Sequence, residues 1–135
     1  MSGDNVEAVR RGFQAFERRD RDAATTLLDP EVAWYPALGA LLGQSSYHGP
    51  EAVAGLVLDE IPSVIEGFTS EVQELRDVGD DTVLVIVRFR GRVPSAQMEI
   101  EQVFGQVYRL RDGKVVEMRS YSSREQALAA LGLDG

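Results

Sequence analysis

The stretch Gln97–Tyr121, QMEIEQVFGQVYRLRDGKVVEMRSY, restricts the possible folds more than any other part of this chain. It predicts two long antiparallel strands joined at Asp112-Gly113, a strong short-range hairpin signal. Side chains alternate across a strand, so Met98, Ile100, Gln102, Phe104, Gln106, Tyr108 and Leu110 share one face. Glu99, Glu101, Arg109 and Arg111 take the other. Two glutamines in an otherwise apolar row describe the wall of a cavity rather than a solid core.

Before the hairpin, the chain alternates helical and extended patterns. Asp4 with Glu7 reads as a capping box ahead of the stripe Val6, Val9, Phe13 and Phe16, predicting a helix over about Asn5–Arg18. Asp20 caps a second short helix carrying Ala23, Ala24, Leu27 and Leu28, which Asp29-Pro30 ends. Glu31–Pro36 is a short strand, and Ala37–Ser46 an apolar loop at the mouth of the cavity. Pro50 opens a third helix, which Pro62 interrupts. Strands over Phe68–Val78 and Thr82–Arg92 follow, the second with Val83, Val85, Val87 and Phe89 on one face. Ser123 caps a final helix stopped by Gly132. Helices first and a strand meander after them predict an α+β fold: a curved antiparallel sheet with the N-terminal helices on its concave face, enclosing a cone-shaped pocket in an α+β barrel of cystatin-like shape.

Composition narrows the function classes. A chain of 135 residues predicts a single domain spanning 1–135. It has no cysteine and one histidine, which argues against a zinc site and against disulfides. The net charge of −8 argues against non-specific nucleic-acid binding. No apolar run approaches the roughly 20 residues that span a bilayer, and the N-terminus lacks a signal-peptide pattern, so the expectation is a cytoplasmic protein with no membrane partner. There is no phosphate-binding loop, dinucleotide fingerprint or nucleophile elbow, and no cofactor is expected.

The segments FQAFERRDRDAATTLLDPEVAWYP, YHGPEAV and QVYRLRDGKVVEMRSYSSREQALAALGL, in that order and spacing, resemble the nuclear-transport-factor-two-like superfamily, in its SnoaL-like and ketosteroid-isomerase-like branch. The resemblance covers nearly the whole chain. It implies a fold whose members include isomerases, cyclases, epoxide hydrolases and non-catalytic modules, so the site must decide function. Where the isomerase-like relatives place a carboxylate base, this chain has Trp34, Tyr35 and Pro36. Where the cyclases place an acid, it has Gln106, and near the isomerase tyrosine it has Phe13. The usual catalytic carboxylates are therefore missing.

The candidates left for chemistry are Gln106, His48 and Tyr35. An amide in a dry pocket can stabilise developing negative charge but cannot shuttle a proton near neutral pH. His48 is the one side chain that titrates there by default, although a turn residue explains it as well. Trp34, Val85, Val87, Gln102, Phe104, Gln106, Met118 and Ser120 are expected to line the ligand site. Alternation allows Trp34 or Tyr35 to face inward, not both, and leaves the choice open. The reading is a pocket protein for a small hydrophobic ligand carrying a carbonyl or hydroxyl, with cofactor-free isomerase, cyclase or lyase-type chemistry if it is catalytic. The alternative is a non-catalytic binding or dimerisation module. Leu84 and Ile86 make the second sheet face apolar as well, which predicts a homodimer through the convex face.

Overall fold

The computed structural model describes residues 2–37 and 43–133. Helices α1 (Ser2–Glu17) and α2 (Arg21–Thr26) lead into β1 (Leu28–Tyr35). A two-residue strand β2 (Tyr47–His48) precedes α3 (Pro50–Gly55), a π-helical turn (Leu56–Glu60) and α4 (Ile61–Val64). The meander β3 (Glu66–Gly79), β4 (Thr82–Val93), β5 (Met98–Arg111) and β6 (Lys114–Tyr121) ends in α5 (Arg124–Ala130). The strands form one curved, open sheet in the order β2-β1-β6-β5-β4-β3. Asp112 and Gly113 turn the β5–β6 hairpin with φ of 53° and 76°, the left-handed pair a type I′ turn needs.

Several local expectations shift. Helix α1 begins upstream of Asp4, so Asp4 lies in its first turn rather than at its cap, and Glu7 pairs with Arg10 at 2.7 Å instead of closing a capping box. Asp20 does cap α2, its carboxylate accepting the Ala23 N–H at 3.1 Å. That helix stops at Thr26, and Asp29-Pro30 falls inside β1. Proline has no N–H for the ladder, and the register of β1 on β6 breaks between Leu28 and Ala33 around it. The β1–β6 pairing is parallel, the one departure from an antiparallel sheet among the described pairs. Of the expected loop Ala37–Ser46, residues 38–42 lie outside the described ones.

Pro62 interrupts the helical run without ending it, since α4 carries on from Ile61 to Val64. It cannot donate to the Leu58 carbonyl one turn back, and the chain widens into the π turn immediately before it. The Leu58 oxygen instead accepts Arg19 Nη2 at 2.6 Å, a contact from the left-handed residue (φ 58°) between α1 and α2. Arg19→Ala should therefore lower stability by about 1 kcal/mol. Urea titration tests this, and an unchanged midpoint would mean that water serves the Leu58 carbonyl equally well.

The main core lies between the helices and the concave face, around Val83, Val85, Val87, Phe104 and Met118 from the sheet and Val9, Leu56 and Ile61 from the helices. A second core lies on the convex face. There Leu84, Ile86 and Val107 pack against Ala127 and Leu128 of α5. The premise for the dimer, a convex apolar face that helices leave bare, is thereby corrected: the chain covers Leu84 and Ile86 itself, leaving them 0% and 3% exposed. Helix α5 is well delimited. Ser123 Oγ accepts the Gln126 N–H at its start, and Gly132 (φ 70°) ends it with Leu133 N–H on the Leu128 carbonyl and its own N–H on that of Ala129. No described helix is long and apolar enough to cross a membrane.

Candidate functional site

The helical layer does not close fully onto the sheet. A cavity of about 100 Å³ remains, with walls from α1 (Val9, Gly12, Phe13), the π turn (Leu56, Val57) and the concave face (Trp34, Phe68, Phe89, Met118). This is the order of apolar void that admits a single ring. Its position follows from the sequence locally. Gly12 presents no side chain toward the space, and β1, β5 and β6 aim Trp34, Gln106, Tyr108, Met118 and Ser120 inward through paired positions: Trp34 beside Met118, Gln106 beside Ser120, Tyr108 beside Met118.

Apart from Ser70 on β3, the polar groups gather on the β5–β6 wall. Tyr108 Oη donates to Gln106 Oε1 at 2.7 Å, a bond wholly buried. Gln106 Nε2 donates to Ser120 Oγ at 3.4 Å, and Ser120 Oγ lies 3.4 Å from Met118 Sδ. Phe13 and Trp34 meet the Tyr108 ring edge-on, at centroid distances of 6.0 and 5.7 Å. Burial pushes the Tyr108 phenol far above the usual tyrosine range, so it stays neutral. Among the described residues no carboxylate or imidazole lines the cavity, and no group of three or more His, Asp or Glu side chains gathers where it could hold a metal. Such an arrangement can hold and polarise a carbonyl or hydroxyl. It has no group of matched pKa to carry a proton.

Four of the residues expected to line the site come together here: Trp34, Gln106, Met118 and Ser120. The others do not. Val85, Val87 and Phe104 share the inward face but are sealed in the main core, Val85 and Val87 at 0% exposure and Phe104 against the Phe89 ring at 5.2 Å. Gln102 lies past the last β5–β6 pair, Gly105 with Tyr121, so β6 does not flank it; it is exposed and donates to the Ser122 carbonyl at 3.0 Å. The choice at β1 is resolved with Trp34 inside. Tyr35 lies on the outer face with the Arg119 guanidinium 4.3 Å above its ring and His48 against its edge. His48 itself is exposed on β2 and does not line the cavity. Phe13 does line it.

Tyr108 is the residue that sequence reasoning left out. Its signal was available, since it stands two positions from Gln106 on the same strand face. Phe68 and Ser70 of β3 and Phe89 of β4 were likewise unassigned; nothing in their own segments shows which part of a long inward face stays open.

The family model described as a SnoaL-like domain matches residues 9–118. No curated protein matches the sequence. Among solved structures, an NTF2-like protein of unknown function from Burkholderia pseudomallei superposes with a TM-score of 0.75 at 23% identity, over 96% of this chain and 97% of that one. A protein from Mycobacterium tuberculosis, solved in complex with estradiol-17β-hemisuccinate, gives 0.72 at 18% identity over 90% and 95%. An LEH-like epoxide hydrolase from the same organism gives 0.69 at 17% identity over 97% and 96%. At these identities the likeness is one of fold.

Proposed function

We infer that this chain, which belongs to the SnoaL-like domain family, binds a small, largely apolar organic molecule through one carbonyl or hydroxyl held at Gln106, Tyr108 and Ser120. The observation that carries this reading is the Tyr108–Gln106–Ser120 chain set in a cavity that is lined, Ser70 aside, by apolar residues. The steroid ester bound by a protein of the same fold supports an apolar ligand. Binding and positioning suit the site better than proton transfer, because its one ionisable lining group, Tyr108, is held neutral. Any catalysis here would polarise a carbonyl and take its proton from water or from the ligand itself, with no cofactor in the cavity. The alternative, association of two copies, is placed on the part of the outer face that α5 leaves open, around Tyr35 and Arg119; light scattering at micromolar concentration showing only monomer would remove it.

Trp34 gives the test. It is the only tryptophan and it lines the cavity. Acetophenone should change its emission saturably, with a Kd of about 0.1–1 mM for a ligand of that size. Val57→Phe, which fills the space from the π turn, should weaken that binding at least about tenfold. Equal, non-saturating drift in both proteins would refute the reading.

A further inference from the structure

The hydrogen bonds of the cavity run in one direction. The single hydroxyl hydrogen of Tyr108 is directed at Gln106 Oε1, 2.7 Å away. Reversing the amide would set its N–H groups against the phenol and leave the phenol hydrogen without an acceptor in an apolar wall, a costly state for a buried donor. The phenol cannot swing to follow, because Phe13 and Trp34 hold its ring edge-on from two sides. Gln106 Nε2 is thus turned away from Tyr108 with two hydrogens. Among the described residues it has one acceptor, Ser120 Oγ, at a long 3.4 Å, so one N–H is left for the cavity.

Resting on the reading above, we propose that Tyr108 is a positioning residue: it fixes the Gln106 amide with its N–H side toward the cavity, so that the site selects hydrogen-bond acceptors, ketones in particular, over alcohols of the same shape. A buried N–H without a partner is rarer and costlier than a carbonyl with one lone pair unused, so the group most in need of a ligand is the donor. A ketone supplies an acceptor and nothing else. An alcohol also accepts, but it brings a hydrogen of its own that must compete for lone pairs already partly used: the Tyr108 and Gln106 oxygens bond each other, and Ser120 Oγ accepts the other amide N–H.

The experiment measures calorimetric affinities for acetophenone, its reduced form 1-phenylethanol, and ethylbenzene. The wild type should favour acetophenone over the other two by about tenfold, the worth of one buried hydrogen bond. Tyr108→Phe releases the amide and should bring the ketone-to-alcohol ratio close to one while ethylbenzene binding persists. Ser120→Ala leaves the Tyr108 bond intact and should keep or widen the ratio. A ratio unchanged in Tyr108→Phe, with all three probes still bound, overturns the positioning role and leaves the pocket standing. A ratio that collapses in Ser120→Ala assigns the amide to Ser120 and overturns it too, even where Tyr108→Phe fails to fold. Failure of all three probes to bind the wild type would instead remove the pocket reading beneath it.

Discussion

Replacing Gln106 by glutamate should make the protein lose about 2–4 kcal/mol of stability at pH 8 relative to wild type, and almost none at pH 4. Gln106 is 5% exposed, with Phe89, Met118 and Trp34 sharing its cavity. A carboxyl group of the same length can still accept the Tyr108 hydroxyl, which favours the ionised form, but it forfeits the donation to Ser120. Desolvation outweighs the single retained bond and raises the folded-state pKa above the unfolded value of about 4.3. Between those two pKa values the native form binds more protons than the unfolded chain, so stability falls as pH rises through the interval. Below it both forms are protonated and the penalty vanishes. Melting the two proteins side by side from pH 4 to 8, and taking the difference, cancels every group they share. A difference that does not change with pH would show that water reaches position 106.

Gly105→Ala should cost about 2–3 kcal/mol, an unusual price for one methyl group on a strand. A Cβ built at Gly105 lies 2.5 Å from the Ala127 Cβ and 3.0 Å from the Ser123 carbonyl oxygen. The first atom belongs to α5 and the second to its capping residue, so neither can yield unless the helix lifts from Leu84, Ile86 and Val107. Removing the opposing methyl relieves half of the clash. Ala127→Gly alone should cost about 1 kcal/mol in helix propensity, and the double variant should be more stable than the sum of the singles by 1 kcal/mol or so. Strict additivity in that cycle would mean that α5 does not rest on Gly105.

These two sites show what a single sequence carries and what it leaves out. The inward face of β5 was legible from alternation alone, because Asp112-Gly113 pins the hairpin and any slip by one residue would put Arg109 and Glu101 inside. Gln106, Met118 and Ser120 followed from that register, whereas the choice of Trp34 over Tyr35 on β1 did not. Which stretch of the face stays open was not legible, since Val85 and Phe89 read alike in sequence and differ only in what packs on them. Gln102 was misplaced for the same reason: alternation gives the side of a strand, not where the neighbouring strand ends. The cover on Leu84 and Ile86 escaped because α5, though its cap and stop were visible, could have packed on either face. Gly105, which marks the landing place, appeared as one glycine in a strand. The π turn had no local signal beyond Pro62, and its stitch to Arg19 joins residues distant in the chain.

The parallel pairing of β1 has a consequence for how the protein is made. Leu28 aligns with Val115 and Tyr35 with Arg119, so β1 has no neighbour on that side until β6 exists. On a ribosome, the first third of the chain therefore emerges with Val32 and Trp34 unburied, and it waits through the synthesis of the entire meander. Contacts of such long sequence separation close slowly, after the local β3–β4–β5 pairings have formed. Nascent chains stalled just before β6 should keep Trp34 open to solvent quenchers, while chains stalled past it should not. The cavity cannot close until β6 is in place, and until then the one tryptophan lacks the wall that Met118 gives it.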